Sequence, residues 1–180
     1  MKRLVLAALL CGATLAAGQV PNGPRPGYGR NDWEREYESR NSSEIEVVLP
    51  APPKGGLLEF FVSSASSFKF FIDPQSLSVG ADGVVRYTLV ARSRSGVENV
   101  SYEGIRCSNF NYKVYALAHD SKWTRTQRDW TTIERKNMQR WHEALALEYF
   151  CPNGSPVTST TEALEYLRLG GHPDFRRQQR

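Results

Sequence analysis

The hydrophobic pattern of this chain changes period once, and that change limits its fold more than any other feature. From Glu44 to His119 the apolar residues come in short runs that alternate with polar neighbours and are broken by turn-forming residues. Beyond Asn137 they recur at helical spacing. Strands first and helices last predict an α+β domain in which helices cover one face of an antiparallel sheet.

The strand-forming part reads as a meander. Ile45, Val47 and Leu49 share one face before Pro50-Ala51-Pro52-Pro53 breaks the run. Residues 57–62 and 68–72 are two further apolar runs, separated by Ser63-Ser64-Ala65-Ser66-Ser67, and Asp73-Pro74 closes the second. Residues 77–79, the turn Gly80-Ala81-Asp82-Gly83 and residues 84–92 predict a hairpin, with Val85, Tyr87, Leu89 and Ala91 on one face. Ser93-Arg94-Ser95-Gly96 is the next turn, 97–107 the next strand, Ser108-Asn109 another turn and 112–119 another strand. In the last third, Met138, Trp141, Leu145 and Tyr149 mark one helix face, widened by Ala144 and Leu147 and stopped at Pro152-Asn153-Gly154. Ser159-Thr160-Thr161-Glu162 is a capping box, and Ala163, Leu164, Leu167 and Gly170-Gly171 complete a second helix.

The start of the chain has a different character. Lys2 and Arg3 precede an apolar run over residues 4–17, and Ala16-Ala17-Gly18 offers small residues to a signal peptidase, so residues 1–18 read as a cleaved secretory signal. A run of that length is too short to span about 30 Å of hydrocarbon as a helix. Cys11 suggests a lipidated start, but Leu10 is a poor residue before a lipidated cysteine. Residues 19–43 are rich in Pro, Gly and charge and read as a linker, residues 44–173 as the domain and 174–180 as a basic tail. The formal charge of +4 falls once Lys2 and Arg3 leave, and Arg176, Arg177 and Arg180 sit in the tail, so the folded body is nearly neutral. A neutral body predicts no nucleic-acid partner, because phosphate binding needs several cations on one face.

Export also settles the cysteine arithmetic. Loss of Cys11 leaves Cys107 and Cys151, which predicts one structural disulfide in an oxidising compartment, tying the first helix to a strand end. A redox pair is the rival reading, but such pairs are usually spaced Cys-x-x-Cys.

Little else carries chemistry. His119, His142 and His172 have no metal-ligand spacing and read as surface or packing residues, and no serine lies in Gly-x-Ser-x-Gly. Asp82 and Asp120 are isolated turn residues rather than calcium ligands. Trp123, Trp130 and Trp141, interleaved with Arg125, Arg128, Arg135 and Arg140, invite a binding-groove reading. Acids alternate with these arginines, however, and Trp141 lies on the apolar helix face, which favours core and a solvated surface. No catalytic residue, metal ligand or cofactor is therefore assigned. The segment Asn99-Val100-Ser101-Tyr102-Glu103-Gly104-Ile105-Arg106-Cys107 is the exception. Simple alternation aims Glu103, with Ile105 and Cys107, at the core. A bulge at Gly104 would instead return Glu103 and Arg106 to one face as a pair. Glu103, Arg106 and Tyr102 are the candidate ligand site or structural charge pair.

These runs also resemble a known family. Phe70-Phe71-Ile72-Asp73-Pro74, Gly83-Val84-Val85-Arg86-Tyr87-Thr88-Leu89, the Tyr102-Glu103-Gly104-Ile105-Arg106-Cys107 run and Tyr149-Phe150-Cys151 resemble the cryptic neisserial protein-like family, over residues 33–173. The resemblance implies a small exported protein of Gram-negative bacteria and no particular reaction, cofactor or catalytic residue. The expected role is a non-enzymatic periplasmic module that offers a surface to an envelope protein or a small ligand. The alternatives are a small envelope hydrolase using Glu103, and a structural envelope protein held in place by its leader and arginine tail.

Overall fold

A computed structural model describes residues 44–134 and 140–178; the expected signal, the linker, Asn137 and Met138 lie outside the described residues. The α+β architecture is as the hydrophobic pattern predicts. Strands β1 (Leu58–Phe60), β2 (Phe68–Val79), β3 (Val84–Ser93), β4 (Glu98–Arg106), β5 (Asn111–His119) and β6 (Lys122–Arg125) form an antiparallel meander in sequence order. β7 (Thr131–Thr132) pairs with the start of β5, beyond the stretch that pairs with β6. Helix α1 (Arg140–Ala144) continues directly into a π-helical segment, Leu145–Phe150, and is followed by α2 (Thr160–Leu169) and α3 (Pro173–Gln178). No helix among the described residues is long and apolar enough to cross a membrane.

The main core lies between the helices and one face of the sheet. Phe60, Phe70, Ile72, Val85, Tyr87, Leu89 and Ile105 meet Leu145, Ala146, Tyr149, Phe150, Ala163 and Leu167 there. A second, smaller cluster lies on the other face, where Tyr102, Tyr115 and Ala116 meet Val47, Leu49 and Trp123.

Several elements differ from the sequence pattern, each for an identifiable reason. The Ile45–Val47–Leu49 stretch is not a strand. It crosses the outer face as an irregular strap whose backbone bonds to side chains: Ile45 N–H donates to Asp82 (3.1 Å), and the carbonyls of Val47 and Pro50 accept from Arg125 (3.0 Å) and Trp123 (2.7 Å). Asp73-Pro74 does not end a strand but starts an irregularity within β2, between Asp73 and Ser78. The Ser76 hydroxyl there accepts from Thr88 N–H at 2.8 Å, replacing a ladder bond. Of the two turn residues Asp82 and Gly83, only Gly83 has positive φ (69°), while the buried Asp82 carboxylate binds Arg86 at 2.5 Å. β6 and β7 are too short and polar to stand out in the sequence.

The expected bulge exists on a different strand. β3 pairs with β4 without interruption through Gly104, whereas across β4 and β5 the register steps from Tyr102–Ala116 to Glu103–Val114. The extra residue is Tyr115, not Gly104. Gly104 serves this bulge by lacking a side chain, since a Cβ at its position would lie 2.8 Å from the Tyr115 hydroxyl and 2.9 Å from Val84 Cγ1. With β4 regular, Glu103 and Arg106 fall on opposite faces and do not form the expected pair.

The helical third departs from its expected period after Ala144. The switch to i→i+5 bonding, with Cys151 N–H donating to the Ala146 carbonyl at 2.9 Å, buries Leu145, Ala146, Tyr149 and Phe150 and leaves Leu147 39% exposed. Leu147 therefore does not widen the apolar face. The cap of α2 forms as expected at Ser159, whose hydroxyl accepts from Glu162 N–H, and α2 ends at Gly170 with φ 74°. The basic tail begins inside a helix, since residues 174–178 belong to α3.

Cys107 follows β4 and Cys151 follows the π-helical segment, with sulfurs at bonding distance and Cα atoms 5.4 Å apart. Closing a loop with 44 residues of separation predicts that Cys107→Ser lowers unfolding stability by about 4 kcal/mol. Urea unfolding of the oxidised protein checks this, and a midpoint equal to wild type contradicts it. Gly104→Ala is expected to lose about 1–3 kcal/mol through the clash with Tyr115 and Val84. The same measurement reads it, and a neutral result would show that the Tyr115 bulge yields freely.

Candidate functional site

The regular alternation of β4 carries Glu103 onto the helix-covered face, two residues from Ile105 and four from Cys107. Its side chain is 3% exposed, as is that of His142 on α1, and Glu103 Oε2 accepts from His142 Nε2 at 2.9 Å. Oε2 also accepts from the Tyr87 hydroxyl (3.2 Å), and Oε1 from the Ser101 hydroxyl (2.6 Å). The imidazole stacks on Tyr112, with ring centres 3.7 Å apart. Burial pushes the Glu103 carboxyl up, but attraction to His142 and the hydrogen bonds from His142, Ser101 and Tyr87 outweigh it and hold the carboxyl below its usual range. Burial and the Glu103 charge together push the Tyr87 phenol well above its usual value.

Next to this pair the sheet and α1 leave an open cleft of about 280 Å³, just under the roughly 300 Å³ at which small-molecule sites usually begin. Its walls are mainly apolar: Phe68 and Phe70 from β2, Leu89 and Ala91 from β3, Val114 and Leu117 from β5, and Trp141 from α1. Ser101, Glu103, His142, Asn99 and Arg128 supply the polar groups. Trp141 lies over Phe70 in a stacked pair at 5.4 Å, so this tryptophan is both core and cleft wall.

The other two candidate residues lie elsewhere. Tyr102 is on the outer face, 5.8 Å from the Tyr115 ring and 6.3 Å from Trp123. Arg106, also on the outer face, holds its guanidinium 4.2 Å from the centre of the Trp130 ring. The partner missed in the sequence is His142, read there as a surface or packing residue. Two signals pointed to it: its place beside Trp141 on an apolar helix, and the alternation that aims Glu103 at the same core.

The chemistry of the cluster is limited by how its atoms are used. Ser101 donates to Glu103 rather than to His142, so these residues do not form a nucleophile–imidazole–carboxylate relay. Both Glu103 oxygens already accept hydrogen bonds, and a carboxyl held below its usual range is a poor proton donor near neutral pH. Among the described residues, no group of three His, Cys, Asp or Glu side chains could hold a metal ion.

A second carboxylate is shifted the opposite way. On the π-helical segment, burial and the nearby Glu143 charge push Glu148 up to about 7 against the pull of Arg140. The two groups act at different pH. Glu103, depressed in the fold, stabilises it above its unfolded value and loses that contribution as pH falls through its folded value. Glu148, raised in the fold, stabilises it below about pH 4.5 and loses that contribution as pH rises to about 7. Melting temperatures across this range are expected to show Glu148→Gln flattening the fall towards about pH 7, while Glu103→Gln flattens the acid-side fall below about pH 4. Unchanged profiles for both variants would contradict these assignments.

The model of the CNP1-like family matches residues 37–168, and the chain belongs to that family. It is 25% identical over 176 residues to Cryptic neisserial protein 1 of Neisseria gonorrhoeae (strain ATCC 700825 / FA 1090), covering 86% of this chain and 85% of that protein. No solved structure matches it.

Proposed function

We propose that this member of the CNP1-like family is an exported periplasmic protein that works by binding, holding a small apolar ligand in the cleft between the sheet and α1. The observation that carries this reading is the cleft itself: an open, mainly apolar hollow whose one buried carboxylate is already hydrogen-bonded by Tyr87, Ser101 and His142. A site with these properties attracts apolar surface, and its Glu103, Ser101 and His142 Nε2 atoms are already hydrogen-bonded to one another. Export is supported by the signal-like residues 1–18 and by a cysteine pair at disulfide distance, which fits an oxidising compartment. A hydrolase using Glu103 is disfavoured by the three hydrogen bonds that its carboxylate already accepts from Tyr87, Ser101 and His142.

The test starts from protein recovered in a periplasmic extract, whose intact mass should begin at Gln19 with Cys107 and Cys151 oxidised. Titration with the neutral fluorophore N-phenyl-1-naphthylamine is expected to give saturable, blue-shifted binding. Ala91→Trp, which fills the cleft wall, should weaken it by about tenfold, roughly the worth of 1.4 kcal/mol. The variant's urea midpoint confirms that it is folded. Absence of saturable binding to the wild type, or equal binding to the filled variant, would overturn the reading.

A further inference from the structure

One end of the sheet carries an apolar and cationic rim that the internal packing does not use. Phe60 pairs with Phe70, Phe68 with Ser93, Arg92 with Glu98 and His119 with Lys122, so the connections 61–67, 94–97 and 120–121 all lie at this end. Cys107 and the Asp82 turn lie at the other end. Phe61 and Val97, on two of these connections, are 64% and 62% exposed. Arg92 and Arg94 border one groove beside Phe68, Arg168 borders another beside Phe61, and Arg140 a third beside Val62. The acids at this end are engaged, Glu59 with Lys69 at 3.3 Å, Glu98 with Arg92 at 2.7 Å, Glu143 with Arg140 at 4.0 Å and Asp120 beside His119 at 3.4 Å, which leaves the exposed Arg94 and Arg168 facing solvent. A positive excess therefore surrounds the exposed apolar tips. That is the composition of a surface that dips shallowly into an anionic bilayer, where apolar tips enter the acyl boundary and cations meet lipid phosphates.

We infer that this end of the sheet docks on an anionic lipid surface, with Phe61 and Val97 entering the interface and Arg94 and Arg168 contacting phosphates. The rim is continuous with the cleft, since Phe68, Asn99 and Leu117 line the cleft from the same strand ends. Docking would thus place the cleft's opening next to the apolar phase from which its ligand is drawn. The ligand's source rests on the binding function proposed above; the docking itself stands on the rim.

The test uses the processed, oxidised protein and two kinds of vesicle, phosphatidylglycerol mixed with phosphatidylethanolamine and pure phosphatidylcholine. Co-sedimentation is expected with the anionic vesicles only and should weaken as salt is raised. Phe61→Ser and Arg94→Glu, both at exposed positions, should each reduce it by about tenfold while leaving the urea midpoint and naphthylamine binding unchanged. Absence of sedimentation with anionic vesicles overturns the docking and leaves the cleft reading intact if the fluorophore still binds. Sedimentation that both variants leave unaltered also overturns it, because the contact would then lie elsewhere on the chain. Vesicle binding by a protein that does not take up the fluorophore would support the rim and reject the cleft as a binding site.

Discussion

A carboxylate sealed inside a protein has to be held by something, and here that requirement organises the helical layer. Glu103 is buried on the sheet and His142 on α1, and the hydrogen bond between them fixes α1 against β4. Nine residues after His142, Cys151 reaches Cys107, four residues after Glu103 on the same strand. The segment from His142 to Cys151 is therefore tied to β4 at both ends, once by a hydrogen bond and once covalently. Between the ties, the π-helical stretch buries Leu145, Ala146, Tyr149 and Phe150 in one packed patch. A buried hydrogen bond to a carboxylate is a weak source of net stability, because desolvation offsets attraction, but losing one partner strands the other at a cost of about 1–3 kcal/mol. Its effect is to specify where α1 sits.

That placement produces the asymmetry of the molecule. At the disulfide end Cys151 draws the end of the π-helical segment onto β4, while on the outer face the strap from Glu44 to Pro50 runs from Asp82 at that end towards Trp123 and Arg125 on β6. At the other end the layers part, and Phe70, Leu89, Leu117 and Trp141 line an open cleft. The covalent tie thus lies at one end of the sheet, and the open cleft towards the other.

Much of this organisation was legible in the sequence because it follows from period and turn chemistry. The meander order came from turn residues such as Ser93-Arg94-Ser95-Gly96, the cap of α2 from Ser159 and Glu162, and the disulfide from counting cysteines after the expected signal. What was not legible depended on neighbours far along the chain. The Tyr115 bulge follows from pairing between β4 and β5, and Gly104 marked its location without revealing which strand carried the extra residue. The strap could not be told from a strand, because Ile45, Val47 and Leu49 alternate equally well when they pack on a face instead of joining an edge. The π-helical turn defeated the 3.6-residue period and moved Leu147 to the surface. The pairing of His142 with Glu103 was missed because 39 residues separate them, although the place of His142 beside Trp141 and the alternation of β4 aim both at the same core.

The central claim is that Glu103 and His142 act as one unit holding α1 on the sheet. A double-mutant cycle with Glu103→Gln, His142→Gln and the double variant, read by urea unfolding of the oxidised protein, tests it directly. The predicted result is a coupling energy of about 2 kcal/mol or more, with the double variant more stable than the sum of the single losses implies. Additivity to within about 0.5 kcal/mol would contradict the claim.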